Sequence, residues 1–248
     1  MPVRRFVLLF AAVSGLASCQ KLTNPALLPL EGETFHVQGI EIGAARLWVT
    51  AVDSRAHKGY LFEYSLPAGK RLRAVEIQDG PRYHPGGMAG DETSLWIPVA
   101  EYRRNSTAVI QRRDKTTLEV TSQFQVPDHI GCVAVEGDTV VGGNWDSREL
   151  YVWNRRGELQ RKLANPSPAA YQDMKFSAGR LVASGLLPGR AGVVDWLDFP
   201  SLALNRRLPL GKTDRGDSYA REGMAIQKGR LYFLPEDGPS RLFSFELE

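Results

Sequence analysis

Hydrophobic and polar residues alternate in short runs along this chain. From about residue 26 onward, no stretch keeps the spacing of an amphipathic helix for ten residues. Short runs rich in Val, Ile, Leu, Tyr, Phe and Trp recur instead, and each run is bounded by Gly, Asp, Asn or Pro. Such runs are typical of β-strands separated by tight turns. The pattern therefore predicts an all-β protein.

The predicted strands recur in sets of four with a period of about 45 residues, which is the pattern of a β-propeller blade. We therefore predict a five-bladed β-propeller of four-stranded antiparallel blades. A six-bladed ring with one distorted unit and an open sandwich are the alternatives. The inner strands are predicted to begin in five segments, residues 36–40, 84–88, 129–133, 170–174 and 220–224.

The last repeat ends at Glu248, directly after its third strand, so its outer strand is missing. Residues 26–32 (ALLPLEG) are similar to the outer strand of the preceding repeat, which contains residues 207–211 (RLPLG). Because an uncovered sheet edge invites pairing, we predict that the N-terminal segment completes the last blade and closes the ring. Residues 26–248 are then expected to form a single domain.

The first 18 residues are predicted to be a signal peptide. Arg4 and Arg5 precede the apolar run 6–13, which is too short to cross a bilayer and matches an export signal. Residues 16–19 (LASC) resemble a bacterial lipobox, which implies cleavage before Cys19 and lipidation of its thiol. Ordinary secretory cleavage nearby is the alternative. Residues 19–25 are then the lipidated cysteine and a tether.

These features predict an exported protein of the periplasm or cell envelope, held to a membrane only through its lipid anchor. Gln20 favours the outer membrane, by resemblance to enterobacterial lipoproteins.

Without Arg4 and Arg5, 29 basic and 28 acidic residues remain, so nucleic acid is not an expected partner. We expect a monomer. The second cysteine, Cys132, has no partner in the chain and is expected to be buried and unreactive.

Three of the four histidines share one column of the repeat, at the start of an inner strand: His36, His84 and His129. Inner strands of a propeller converge on the central channel, so these imidazoles should face a common space at one mouth. Acidic residues share a second equivalent position of the repeat. In four of the five repeats an acid lies seventeen residues after the first residue of the inner-strand segment. These acids should emerge at the same mouth of the channel. These acids are Asp53, Glu101, Asp146 and Asp237.

A polar site is therefore predicted at the channel mouth. Its candidate residues are His36, His84, His129, Glu101, Asn144, Asp173 and Glu222. Neutral imidazoles and carboxylates are ligands for Zn²⁺, Fe²⁺ or Mn²⁺, whereas oxygen-only sets suit Ca²⁺. One divalent metal (Ca²⁺, Zn²⁺ or Mn²⁺) is therefore a candidate cofactor, and the three histidines are its candidate ligands. Crowded carboxylates also shift one another's pKa, which prepares acid and base roles. The alternative is a purely structural set that satisfies backbone groups and axial water.

Several stretches resemble an uncharacterised family of exported propeller-like proteins, a domain of unknown function. The stretches are residues 36–39 (HVQG), 83–87 (YHPGG), 95–102 (LWIPVAEY), 128–131 (DHIG), 143–145 (GNW) and 171–173 (YQD). Because this family has no established activity, the resemblance implies the domain boundaries and the mouth residues but no substrate.

Three functions remain open on the sequence. The mouth is expected to bind a small polar ligand or a metal, and as an enzyme it would hydrolyse an ester, a lactone or a glycosidic bond. As a binding module it would present the same mouth to a glycan, peptide or small molecule without reaction. As a scaffold in an envelope complex it would use the mouth only structurally.

Overall fold

The computed structural model describes residue 22 and residues 25–247. The predicted signal peptide, the predicted lipidation site Cys19 and most of the predicted tether lie outside the described residues. No helix in the described part of the chain has the length and apolar character needed to span a bilayer.

The described residues form 21 β-strands, numbered here in chain order, and β1 is Ala26–Pro29. The first blade contains β2 (His36–Ile42), β3 (Arg46–Asp53), β4 (Lys58–Ser65) and β5 (Arg71–Glu76). The second contains β6 (His84–Pro85), β7 (Ala89–Gly90), β8 (Ser94–Ala100), β9 (Ala108–Asp114) and β10 (Val120–Val126). The third contains β11 (Ile130–Glu136), β12 (Thr139–Asn144), β13 (Glu149–Asn154) and β14 (Leu159–Ala164).

The fourth blade contains β15 (Ala170–Ser177), β16 (Arg180–Leu186), β17 (Gly192–Asp198) and β18 (Ala203–Leu210). The fifth contains β19 (Gly223–Gln227), β20 (Arg230–Leu234) and β21 (Arg241–Glu246), with β1 as its outer strand. Neighbouring strands in every blade are antiparallel and follow chain order from the axis outward, except where β1 joins. The predicted five-bladed β-propeller is confirmed.

The N-terminal strand closes the ring, as the sequence predicts. β1 pairs antiparallel with β21, and the register places Ala26 opposite Ser244 and Pro29 opposite Arg241. The Leu30 amide then donates to the Ser240 carbonyl at 3.0 Å. The Leu30 side chain is buried between the first and fifth blades. The two ends of the domain therefore share one sheet.

The hydrophobic core is divided into five clusters, and each cluster combines side chains of two adjacent blades. One of them joins the fifth blade to the first, so every blade is packed on both faces. Cys132 is buried between the third and fourth blades, and burial raises the pKa of its thiol to about 12. Four tryptophans are buried in these clusters: Trp48, Trp96, Trp153 and Trp196.

The inner strand of the second blade is interrupted between β6 and β7, whereas the sequence predicts one continuous strand. Two glycines at the break bring the backbone against neighbouring blades. The Gly87 amide donates to the Gly131 carbonyl at 2.9 Å, and a Cβ on Gly86 would lie 2.0 Å from that same oxygen. The interruption thus lets the backbones of the second and third blades contact each other directly at the axis.

Gly86→Ala is expected to destabilise the protein by about 1–3 kcal/mol, because the added methyl group forces backbone shifts in a packed region. Urea-induced unfolding measures the change. Gly211→Ala is the matched control, since its Cβ would meet nothing nearer than the Tyr219 ring at 4.0 Å. Equal stability of the two variants would contradict the close approach at Gly86.

Candidate functional site

The mouth of the channel at the start of the inner strands holds a cavity of about 370 Å³. That volume falls in the range of small-molecule sites. Every blade contributes to the lining. From the first blade to the fifth, the contributing residues include His36, His84, His129, Tyr171 and Glu222. The cavity is therefore a product of the closed ring and belongs to no single blade.

Five of the seven candidate residues line this cavity: His36, His84, His129, Asn144 and Glu222. The amide of Asn144 is occupied by structural contacts. Its Nδ2 donates to Asp128 at 3.2 Å, and its Oδ1 accepts from the Glu149 amide at 3.0 Å. Asn144 thus shapes the wall, while the three imidazoles and Glu222 provide the reactive groups.

Glu101 lies outside the lining because it closes its own loop. Its carboxylate accepts from the Thr107 amide at 3.2 Å and from the Thr107 hydroxyl at 3.1 Å. It also forms an ion pair with Arg103 at 2.7 Å. These contacts fix the loop from residue 101 to 107, which carries Tyr102 to the cavity.

Asp173 also lies outside the lining, buried near the axis with no exposed surface. Its Oδ2 accepts from the Ile40 amide of the first blade and from the Met224 amide of the fifth, both at 3.0 Å. Its Oδ1 accepts from Lys175 at 2.6 Å, and Lys175 donates to the Met88 carbonyl of the second blade at 2.6 Å. This ion pair therefore links four blades and has a structural role.

One wall of the cavity joins the first and fifth blades through charged groups. His36 Nδ1 lies 3.0 Å from Asp237 and 3.9 Å from Glu222. Arg221 lies 2.8 Å from Asp237 and 3.3 Å from Glu222. Burial alone would lower the pKa of His36, but the hydrogen bond to Asp237 and the charge of Glu222 raise it above its usual value.

Glu222 is the most perturbed acid of this wall. Burial raises its pKa to about 8, although His36 and Arg221 both act in the opposite direction. Asp237 differs, because hydrogen bonds from His36 and Arg221 outweigh its partial burial and hold its pKa below the usual value. The raised pKa of Glu222, which lines the cavity, thus lies beside the lowered pKa of Asp237, which holds His36 and Arg221.

The opposite wall is aromatic and formed by the second and third blades. The His84 ring stacks on Tyr102 with centroids 4.3 Å apart, and His129 meets Trp145 edge-on at 4.5 Å. Burial, with the neighbouring imidazoles, lowers the pKa of His84 to about 3. Its Nδ1 is buried without a hydrogen-bond partner among the described residues. His84 is therefore a neutral imidazole.

The tautomer of His129 follows from its contacts. Its Nδ1 lies 3.1 Å from the Arg103 carbonyl oxygen. A carbonyl can only accept, so Nδ1 carries the proton and Nε2 keeps its lone pair. Burial lowers the pKa of His129, despite the contacts with backbone carbonyls. His129 can therefore accept a proton through Nε2 at neutral pH.

A metal site at the three histidines stays a prediction, and the structure brings together a second group of candidate ligand atoms. Among the described residues, the ligand atoms of His36, Glu222 and Asp237 lie within 4.8 Å of one another. Arg221 already contacts both carboxylates of this group, so a divalent cation between them would face a fixed positive charge. The cluster is better suited to proton transfer than to metal binding.

Sequence reasoning missed two cationic residues of the lining, Arg190 and Arg221, and the aromatic Tyr102. Arg221 directly precedes Glu222, so an arginine beside a candidate acid of the mouth was the available signal. Tyr102 follows Glu101 at the end of a predicted strand. Arg190 lies in a short turn whose conformation has no sequence signature apart from Gly189.

The fold is similar to that of known propellers. Glutaminyl cyclase from Myxococcus xanthus is 14% identical, with a TM-score of 0.67 over 90% of this chain and 94% of that protein. The WD40 domain of Pan2 from Neurospora crassa is 11% identical, with a TM-score of 0.51 over 81% of this chain and 56% of that chain. At these identities the likeness concerns the fold alone.

A search of functionally curated proteins finds no match to this sequence. A family model does match: residues 23–177 fit the Family of unknown function (DUF6454). The matched region covers more than half of the chain and includes the three mouth histidines. The chain therefore belongs to DUF6454, a protein family of unknown function.

Proposed function

We propose that the mouth cavity is an active site for general acid–base chemistry on a small polar substrate. The observation that carries the proposal is one cavity lined by the buried carboxyl of Glu222, whose pKa burial raises to about 8, and by the imidazoles of His84 and His129, whose pKa values burial lowers. In this role Glu222 is the acid and His129 Nε2 is the base. Hydrolysis of an ester, a lactone or a glycosidic bond needs this combination.

In the reaction, His129 would take a proton from the attacking water, and Glu222 would give its proton to the leaving oxygen. Arg221 and His36 would then stabilise the Glu222 carboxylate that remains. Tyr102 and Trp145 would hold the body of the substrate by stacking. Each residue thus has a role that follows from its contacts, and no step requires a metal.

We further propose that the protein acts in the cell envelope, anchored by lipid on Cys19. Support comes from the charged start, the short apolar run and the lipobox-like residues 16–19. A site of this kind would act on compounds outside the cytoplasm.

Glu222→Gln is expected to reduce turnover about 100- to 10,000-fold, because the amide fills the same space but donates no proton in acid catalysis. A panel of chromogenic esters, lactones and glycosides identifies the substrate for this measurement. Glu76→Gln on the exposed β5 is the matched control and should keep full activity. Unchanged turnover in the Glu222 variant would refute the acid role.

The pH profile gives a second readout of the same experiment. Since Glu222 must be protonated to act, activity should fall above pH 8, where its raised pKa of about 8 places the loss of the proton. His84, with a pKa of about 3, stays neutral across the assay range. A profile that rises through pH 8 would contradict the assignment. Ligand binding without any turnover would leave the cavity as a binding module.

Cyclisation of an N-terminal glutamine is a second candidate reaction. It joins the α-amine to the side-chain carboxamide and releases ammonia, so it also needs a base for the amine and an acid for the leaving group. Gln38 in the cavity has a buried amide nitrogen without a partner, which suits recognition of a carboxamide. Formation of pyroglutamate from a glutaminyl peptide, and its loss in Glu222→Gln, tests this candidate.

A further inference from the structure

Arg190 differs from the other cations around the cavity because its guanidinium is unpaired. Arg221 contacts Asp237 and Glu222, and Arg104 forms an ion pair with Asp146 at 2.6 Å. Arg190 lines the same cavity with an exposed side chain. Within the described part of the chain, no hydrogen bond or ion pair holds it. One positive charge of the lining is therefore available to a ligand.

The turn that carries Arg190 is short and closed. Between β16 and β17, the Leu187 amide donates to the Ala191 carbonyl at 2.9 Å, and the Arg190 amide donates to the Leu187 carbonyl at 2.8 Å. Arg190 has a φ of 68°, in the left-handed region that most side chains avoid. Two hydrogen bonds thus fix the turn that carries Arg190 at the rim of the cavity, and a strained conformation is common at binding sites.

Each ionised carboxylate around the cavity has a cationic partner. Asp237 is held by His36 and Arg221, and Asp146 is held by Arg104. Burial keeps Glu222 protonated at neutral pH, since its pKa is about 8. A neutral ligand would leave Arg190 uncompensated, whereas an anionic ligand would pair with it. Electrostatic complementarity therefore favours a negatively charged ligand.

We propose that Arg190 is a specificity-determining residue that binds a carboxylate group of the ligand, so that the cavity selects small carboxylic acids over their neutral analogues. The planar guanidinium matches a carboxylate with two parallel hydrogen bonds. A phosphate dianion would need further donors for its second charge. Tyr102 and Trp145, which line the same cavity, would contact the body of the ligand. The inference rests on the proposed function only in assigning the ligand to the same cavity.

Three probes with the same ring separate the possibilities: benzoate, benzamide and phenyl phosphate. Calorimetric titration gives their affinities, and ¹H–¹⁵N spectra report binding at the mouth through the Trp145 indole N–H. We expect benzoate to bind at least ten-fold more tightly than benzamide. Arg190→Gln should remove this preference. Arg180→Gln, at the far end of β16, removes the same charge and should retain it.

Equal affinities for benzoate and benzamide, no binding of benzoate, or a preference that survives in Arg190→Gln would overturn the proposal. Tighter binding of phenyl phosphate than of benzoate would overturn the assignment to carboxylates. Glu222→Gln should keep the preference, because Glu222 acts on the reacting group. A variant that loses turnover but keeps the preference supports both proposals. A preference without any turnover supports the carboxylate site and contradicts the enzyme.

Discussion

Asp173→Ala is expected to lower the free energy of unfolding by about 3–5 kcal/mol, because it leaves the buried Lys175 ammonium without its counter-ion. The Asp173 side chain has no exposed surface, and its Oδ1 lies 2.6 Å from Lys175. The substitution also removes the acceptor of the Ile40 and Met224 amides, which lie at 3.0 Å. Urea-induced unfolding measures the loss.

Two further variants make this result specific. In Asp173→Asn combined with Lys175→Met, both charges are removed and an acceptor oxygen remains, so most of the lost stability should return. Glu92→Ala, at an exposed turn of the second blade, should change stability by no more than about 0.5 kcal/mol. A loss below about 1 kcal/mol for Asp173→Ala would show that the axial ion pair does not hold the blades.

Loss of the closing strand is expected to have the second large effect. A chain that begins at Glu31 lacks β1, so the outer edge of β21 and the apolar surface under Leu30 become exposed. Such a chain should lose its cooperative unfolding transition. The point variant Leu30→Ala should remain folded and lose about 2–5 kcal/mol, since Leu30 is 5% exposed and its removal leaves a cavity.

Leu72→Ala is the control for the closing strand. Leu72 occupies β5, the outer strand of the first blade, and is 42% exposed, so its truncation should cost no more than about 0.5 kcal/mol. Thermal and urea-induced unfolding of both leucine variants give the comparison. A Glu31 chain that unfolds cooperatively at the same urea concentration as the full protein would contradict the closing role of β1.

The fold could be predicted from the repeated four-strand unit. Each strand is marked by its own run of apolar residues, and turn residues separate one run from the next. The ring closure was predictable for the same reason, since the missing outer strand and residues 26–32 are both visible in sequence. The histidine column was brought together because His36, His84 and His129 share one position of the blade. A shared position in the repeat becomes a shared position in space.

The four predicted acids were not brought together as the histidines were. They lie at strand ends, where loops vary in length and conformation. Asp53 accepts from the Arg55 and Ala56 amides within its own turn, both at 3.0 Å. Glu101 is similarly occupied by Thr107. Asp146 lines the mouth cavity as predicted, and it pairs with Arg104. Asp237 alone of the four reaches a mouth histidine. Counting residues does not reveal whether an acid will satisfy its own turn.

His36 and Asp237 are separated by 201 positions in sequence, yet they are hydrogen-bonded across the boundary between the first and fifth blades. That boundary is the seam where the first blade of the chain packs against the last. A small parting of the seam, with all five sheets intact, would separate the imidazole from both carboxylates. Since burial and the nearby His36 both set the pKa of Glu222, the proton affinity of this carboxyl depends on the closed contact between the first and fifth blades.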